Sequence, residues 1–236
     1  DTFITGEDPN NYIWYSGKLW RAVSVNNEAK TTKLVTQWNI SSIYYNENGN
    51  TAFEGSYMES WLNDTTVDGF LGNLREPEKY IVTDAKWNAT EDATSLGSIT
   101  RPSDDGAIVE DAVGLINIYE YQSSYHGTTY SSGYLSNGLN WYSLTPYSSS
   151  YIRTVTRNGY VSNYGSPASM SGIRPSINLK SNVNIVNGDG TIENPYRIEG
   201  DNDTNLSGIL LKDRYSGEYI QFGIGENNLY RIVSHE

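Results

Sequence analysis

The chain has 236 residues, of which 28 are acidic and 16 basic, so its net charge at neutral pH is −12. A surface of this charge repels phosphate backbones and anionic bilayers, and we expect no nucleic-acid partner. Cysteine is absent, which excludes disulfides, thiolate zinc sites and cysteine nucleophiles.

The aromatic residues are 20 Tyr and 6 Trp against only 4 Phe. Tyr and Trp carry an apolar ring with a polar tip, which suits half-wet binding surfaces as well as cores. No stretch approaches the roughly 20 apolar residues of a spanning helix, so we expect no direct membrane insertion. An acidic, cysteine-free chain rich in Asn, Ser, Thr and Tyr is typical of a secreted or cell-surface protein of a Gram-positive bacterium.

Alternating apolar residues predict an opening three-stranded meander over residues 12–15, 19–25 and 33–38, with Gly17 in its first turn. After residue 55 the apolar spacing becomes helical, and Ser56 with Glu59 forms a capping-box pattern. We therefore predict a helix of about three turns that ends near residue 64.

The middle of the chain carries weaker patterns. Residues 70–74 predict a second short helix, and residues 80–83 and 114–118 predict strands or buried segments. From residue 119 to residue 164 regular structure fades into a Tyr-rich stretch interleaved with Ser, Gly and Asn. A long aromatic loop region of this kind is usually functional or disordered.

Strand patterns return at residues 151–155 and 160–162, joined by an Asn-Gly turn. Residues 173–179 predict one further strand, and Pro175 places it at an edge or a bulge. The hairpin pattern of residues 219–234 echoes that of residues 12–24. We expect a module over residues 1–200, followed over residues 201–236 by a hairpin that opens a second repeat or closes this one.

Several short motifs resemble an uncharacterised Gram-positive extracellular domain family. They are Trp20-Arg21, Trp61-Leu62-Asn63, the Trp-to-Pro segment 141–146, the Gly-Ile-Arg-Pro segment 172–175 and the Gly-rich segment 188–196. That family is similar to the C-type-lectin-like fold in the variant used by formylglycine-generating enzymes. The resemblance implies an α+β fold of small twisted antiparallel sheets, one or two short helices and long loops that form a binding face. Formylglycine formation relies on cysteines, so that activity does not transfer to this chain.

Acidic pairs offer two alternative chemistries. Asp104 and Asp105, with Glu110 and Asp111, suit an acid/base pair or a cation site, although solvated acidic loops give the same pattern. The oxygen-rich loops around residues 187–190 and 201–203 suit structural calcium or ordinary turns. The ligands of such a calcium would be Asp189, Asp201 and Asp203.

The Tyr-rich stretch is the stronger candidate for function, because Tyr, Ser, Gly and Asn are the residues of adaptable recognition surfaces. We find no nucleophile motif or phosphate-binding loop and expect no enzymatic activity. We predict a cell-surface binding or adhesion module whose partner is a glycan or a surface protein. The alternatives are a structural repeat that pairs with neighbouring copies and, more distantly, a carbohydrate-active enzyme that uses two carboxylates. The predicted ligand-binding residues are Tyr125, Tyr130, Trp141, Tyr147, Tyr151, Arg153, Arg157 and Tyr164.

Overall fold

The computed structural model describes residues 1–125, 133–200, 210–214, 218–223 and 228–233. The strands in these residues are Thr2–Phe3 (β1), Tyr12–Tyr15 (β2), Lys18–Val25 (β3), Thr32–Thr36 (β4), Ser41–Tyr44 (β5), Ala85–Asn88 (β6), Ile108–Asp111 (β7), Trp141–Ser148 (β8), Tyr151–Val155 (β9), Val161–Gly165 (β10), Met170–Ile173 (β11), Ser176–Leu179 (β12), Ile185–Asn187 (β13), Tyr196–Ile198 (β14), Tyr219–Gln221 (β15) and Leu229–Arg231 (β16). The α-helices are Tyr57–Asn63 (α1), Pro77–Tyr80 (α2) and Ile118–Ser123 (α3). Single 3-10 turns cover Leu71–Asn73, Leu96–Ser98 and Leu211–Asp213.

A seven-stranded sheet contains the predicted opening meander. Its order is β12-β4-β3-β2-β14-β13, with β1 paired to β3. The turn between β2 and β3 has positive φ at Ser16 (52°) and Gly17 (70°), the geometry of a type I′ hairpin turn. The meander prediction is therefore confirmed, and its register places Ile13 opposite Trp20.

A five-stranded sheet has the order β10-β9-β8-β11-β5, and its strands β8, β9 and β10 come from the C-terminal part of the Tyr-rich stretch. Both of its faces are covered over much of their area. Tyr142, Leu144 and Ile152 belong to the large core that also contains Trp20, whereas Trp141 and Val155 belong to a second, smaller core. Because successive residues of a strand point to opposite faces, this sheet lies between the two cores.

The fold class is α+β, with small mixed and antiparallel sheets and three short helices in the described residues rather than one or two. Helix α1 begins as predicted, because the Ser56 side chain accepts a hydrogen bond from the Glu59 backbone N–H. It spans seven residues, so it is shorter than the three turns expected.

The middle of the chain holds more regular structure than predicted. Residues 114–118 are buried, which confirms one of the two alternatives predicted for them, and helix α3 starts at residue 118, where Asn117 and Glu120 form a capping box. Residues 141–148, expected to be irregular, form β8. The single strand predicted over residues 173–179 is two strands, because β11 and β12 lie in different sheets on either side of Pro175.

The C-terminal hairpin forms as predicted. Among the described residues, β15 and β16 pair only with each other. Its side chains are largely exposed, including Phe222 at 74% and Leu229 at 65%.

Candidate functional site: an exposed tyrosine platform

Three of the predicted tyrosines come together on neighbouring strands of the five-stranded sheet. The ring of Tyr164 lies 5.8 Å from that of Tyr151 and 6.4 Å from that of Tyr147, centroid to centroid, both in edge-to-face arrangements. Tyr164 is 73% exposed and Tyr151 is 41% exposed, whereas Tyr147 is half-buried. We call Tyr147, Tyr151 and Tyr164 the tyrosine platform.

The platform results from the local register of the sheet. Tyr147 and Tyr151 flank the tight turn between β8 and β9, where Ser148 is opposite Tyr151. The pairing of β10 with β9 shifts register between Ser162 and Gly165, so Tyr164 lies in a β-bulge. Because a bulge redirects side chains, it places Tyr164 beside the other two rings.

Arg153 supports the platform from below and is 0% exposed. Its guanidinium lies 5.2 Å from the centroid of the Tyr147 ring, within the range of a cation–π contact. Nε and Nη2 donate to the Asp92 carbonyl at 2.9 and 2.7 Å, Nη2 also donates to the Thr94 carbonyl at 2.6 Å, and Nη1 donates to Asn163 Oδ1 at 3.0 Å. Burial lowers the pKa of Arg153, and the nearby Asp92 carboxylate opposes that change. These bonds fix the loop around residue 92 against the sheet.

Arg153 therefore differs from its predicted role. We expected it to contact a ligand directly, but its donors are engaged by the protein and its side chain is enclosed. It positions Tyr147 and the adjoining loop instead.

Trp141, predicted to contact a ligand, is also enclosed by the protein. It is 1% exposed and lies in the smaller core, 5.4 Å from the Tyr121 ring and 4.9 Å from the Arg174 guanidinium. Its position at the far end of β8 points it into the core, so it is not available to a ligand on the sheet surface.

The remaining predicted contacts are scattered. Arg157 is exposed in the turn after β9, at the opposite end of that strand from Tyr151. Tyr125 is half-buried against the Tyr121 ring at 5.2 Å. Tyr130 lies outside the described residues. The platform therefore gathers three of the eight predicted residues, with Arg153 beneath them.

The calcium prediction rests on residues that the structure describes only in part. Asp189 is exposed and accepts hydrogen bonds from the Thr191 amide at 3.0 Å and the Thr191 hydroxyl at 2.7 Å. These bonds lower the pKa of Asp189 and form the turn. Asp201 and Asp203 lie outside the described residues, and in the described part of the chain no group of three or more acidic or His side chains is placed to hold a metal ion.

The two acidic pairs separate in the structure. Asp104 pairs with Arg101 at 2.6 Å and Glu110 pairs with Lys86 at 3.7 Å, all on the surface. Asp105 is exposed in the same loop as Asp104. Asp111 is turned to the opposite side of β7 from Glu110.

Asp111 has a neighbour that was not predicted from the sequence, the carboxyl group of Glu59. Burial, and then the Glu59 carboxylate on α1, raise the pKa of Asp111 to about 7. The two residues are far apart along the chain, and only the contact of α1 with β7 brings them together. No local sequence pattern signals such a pair.

Comparison with models of known protein families, with curated proteins and with solved structures finds no match for this chain. Among the described residues, no helix has both the length and the apolar character needed to cross a bilayer.

Proposed function

We propose that this chain is a non-catalytic, extracellular or cell-surface binding module of a Gram-positive bacterium whose ligand is a glycan. The tyrosine platform carries this proposal, because three aromatic rings lie together at the surface above a fixed arginine. Exposed tyrosines grouped in this way are unusual unless they contact something, since burial of their rings is favourable.

A sugar suits the platform for two reasons. The apolar C–H face of a pyranose packs on an aromatic ring, while each Tyr hydroxyl donates and accepts hydrogen bonds. Tyr also loses little side-chain entropy on binding because it has few rotatable bonds. Arg153 reduces the cost further by holding Tyr147 in place before a ligand arrives.

The family resemblance supports the same proposal. Its C-type-lectin-like fold joins small antiparallel sheets to few helices, and the α+β architecture of this chain has that composition. Proteins of that fold bind ligands through loops and sheet edges on one face. We therefore also propose that the chain has the C-type-lectin-like fold and belongs to the Gram-positive extracellular family that it resembles.

The test is glycan binding by the Tyr164→Ala variant, measured on a glycan array and then by calorimetry with any glycan that binds. We expect affinity to fall about five-fold or more, because loss of one central aromatic contact typically costs about 1–3 kcal/mol. Tyr160→Ala is the matched control, since Tyr160 is 55% exposed but lies outside the platform. Equal losses in the two variants, or binding that is unaffected by Tyr164→Ala, would contradict the proposal.

A second candidate function, assembly through a repeated hairpin, is favoured by the register of the C-terminal strands. Tyr219 lies opposite Arg231 in β15–β16, as Tyr12 lies opposite Arg21 in β2–β3. In both hairpins the Arg guanidinium lies over the Tyr ring, at 5.8 Å and 3.6 Å from its centroid. The match supports residues 201–236 as a copy of the opening hairpin, separate from the module of residues 1–200.

The environments of the two hairpins differ. In the opening hairpin Ile13 is 6% and Trp20 is 0% exposed, because other strands and the core cover it. In the C-terminal hairpin, the residue that corresponds to Trp20 is Tyr230, and it is 53% exposed. An uncovered hairpin of this kind is a surface on which a neighbouring module can pack.

This second candidate predicts concentration-dependent association of the chain. We expect Phe222→Ser to reduce association in sedimentation velocity, because it removes an apolar side chain that is 74% exposed. Met170→Ser, at a position 62% exposed in the five-stranded sheet, is the control. A chain that stays monomeric at all concentrations would rule out assembly by this hairpin.

A further inference from the structure

A second surface feature lies away from the tyrosine platform. A cavity of about 660 Å³ opens between the two-stranded sheet of β6 and β7, the start of α3 and the end of β1. This volume is in the range of small-molecule sites. All of the residues that line it are described.

The inner end of this cavity holds a buried ion pair. Lys33 on β4 bonds through Nζ to a carboxylate oxygen of Glu120 on α3, and the side chains are 13% and 7% exposed. The other Glu120 oxygen accepts a hydrogen bond from the Asn117 amide at 2.9 Å. The Lys33 ammonium also lies 4.9 Å from the Trp87 ring centroid. Taking two charges out of water is costly, so a buried pair on a cavity wall is a built polar site rather than a solvated surface.

The rim of the cavity carries two more ion pairs. Lys86 and Glu110 face each other across β6 and β7 with a distance of 3.7 Å between Nζ and Oε1. Arg101 and Asp104 pair at 2.6 Å in the adjoining loop. Each of these four side chains is at least 62% exposed. Their remaining donor and acceptor positions are therefore open to a ligand.

An aromatic wall completes the cavity. Phe3 and Tyr119 pack edge to face with ring centroids 5.6 Å apart and an interplanar angle of 87°. Both rings are half-buried, and both line the cavity. The lining thus places apolar ring surface beside alternating cationic donors and carboxylate acceptors.

We propose that this cavity binds a neutral sugar unit, at a site separate from the tyrosine platform. The three ion pairs balance three positive against three negative charges, and the exposed Asp1 adds one acidic side chain to the lining. The cavity therefore has no net positive charge to attract an anion, and only one unpaired, exposed carboxylate to attract a cation. Sugar hydroxyls accept from the ammonium and guanidinium groups and donate to the carboxylates while the pairs stay intact. A zwitterion such as a short peptide must also lose the hydration of its own two charges, and the already paired groups compensate only part of that cost. This second proposal depends on the proposed function for its class of ligand, a glycan, but it involves none of the platform residues.

The test is NMR titration of the full chain with a panel of soluble neutral trisaccharides: maltotriose, cellotriose, mannotriose and N,N′,N″-triacetylchitotriose. We expect one of them to shift the backbone amides of Asn88, Asn117 and Tyr119 in a saturable way at millimolar concentration. The Asp104→Asn/Glu110→Gln double variant keeps side-chain shape but weakens the acceptors, and we expect about ten-fold weaker binding. The control is Glu47→Gln/Glu78→Gln, which makes the same charge change at exposed positions outside the cavity.

The outcomes separate the two sites. Shifts confined to the platform and lost in Tyr164→Ala leave the proposed function standing but overturn the cavity site. Shifts at the cavity that persist in Tyr164→Ala and weaken in the double variant establish the cavity site on its own. The cavity proposal is wrong if no trisaccharide shifts these amides, if the double variant binds equally well, or if only a zwitterionic dipeptide such as glycylglycine binds there.

Discussion

Three arginines are almost fully buried, and each lies against an aromatic ring. Arg21 contacts Tyr12, Arg153 contacts Tyr147, and the Arg174 guanidinium lies over Trp141. Burial lowers the pKa of all three, to about 9 for Arg174, which therefore remains charged at neutral pH. Their donors bond mainly to backbone carbonyls and side-chain oxygens of neighbouring segments. Buried arginine here joins loops to sheets, a role that composition alone does not distinguish from ligand binding.

The carboxyl groups of Glu59 and Asp111 lie next to each other, and their interaction changes the pKa of Asp111. Asp111 Oδ2 is enclosed, and the Asp111 carboxyl lies within hydrogen-bonding reach of the Glu59 carboxylate when one of the two is protonated. The pKa of Asp111, ordinarily 3.8, is raised to about 7 by burial and by Glu59. The folded state therefore keeps this proton at pH values where the unfolded chain has released it.

We expect the contribution of Asp111 to the free energy of unfolding to fall as pH rises from about 4 to about 7, because over this range the unfolded state binds fewer protons at Asp111 than the folded state. Asp111→Asn removes this cost, so the variant should be more stable than the wild type at pH 8, by on the order of 1 kcal/mol. The two should converge near pH 4. Urea unfolding at each pH measures the difference, and equal stability at pH 8 would show that Asp111 does not carry the proton.

At the scale of elements, β11 connects the parts of the five-stranded sheet. It pairs antiparallel with β5 and parallel with β8, where Gly172 is opposite Trp141. A Cβ atom at Gly172 would lie 1.8 Å from Asn39 Nδ2 and 2.4 Å from the Asn140 carbonyl oxygen. The close approach of these strands therefore requires glycine at this position.

Gly172→Ala should destabilise the protein by about 1–3 kcal/mol, because the backbone of residue 140 must move to admit the methyl group. Ser171→Ala, one residue earlier in the same strand, is the control and should change stability by less than about 0.5 kcal/mol. Thermal or urea unfolding of both variants makes the comparison. An unchanged Gly172→Ala protein would mean that the strands separate at little cost.

Elements differed in how well their sequences predicted them. The hairpin at residues 12–25 and the start of α1 follow from a Gly turn, a Ser cap and short-range periodicity. Helix α3 was missed although Asn117 and Glu120 form a capping box, because its six residues give too little periodicity. Strand β8 was missed because Pro146 and the surrounding Ser and Tyr residues resemble a loop. Its strand conformation is imposed by pairing with β9.

At the scale of the whole molecule, the net charge of −12 acts against the compact state. Acidic side chains are closer together in the folded chain than in the unfolded chain, so their repulsion is larger there. Exposed ion pairs such as Lys86–Glu110 offset little of this repulsion, since surface pairs contribute about 0–1 kcal/mol.

We expect the melting temperature at pH 8 to rise when sodium chloride is increased from about 0.01 to about 0.15 M, which shortens the Debye length from about 30 to about 8 Å. A rise of a few degrees corresponds to about 1 kcal/mol for a chain of this size. Sucrose at matched osmolality serves as the control for non-ionic effects. A fall on adding salt would show that attractive ion pairs outweigh the net repulsion.

The sequence by itself predicted the three local hairpins and the cap of α1, because each depends on residues a few positions apart, whereas the α+β class was expected only from the family resemblance. The sequence also located the Tyr-rich stretch, but it did not determine which of the aromatic rings are exposed to solvent. Tertiary structure decided that Trp141 is enclosed while Tyr164 is exposed, since the pairing of three strands and one bulge sets their directions. It alone joined Lys33 to Glu120, which are 87 residues apart, because contacts over such distances depend on how whole sheets pack.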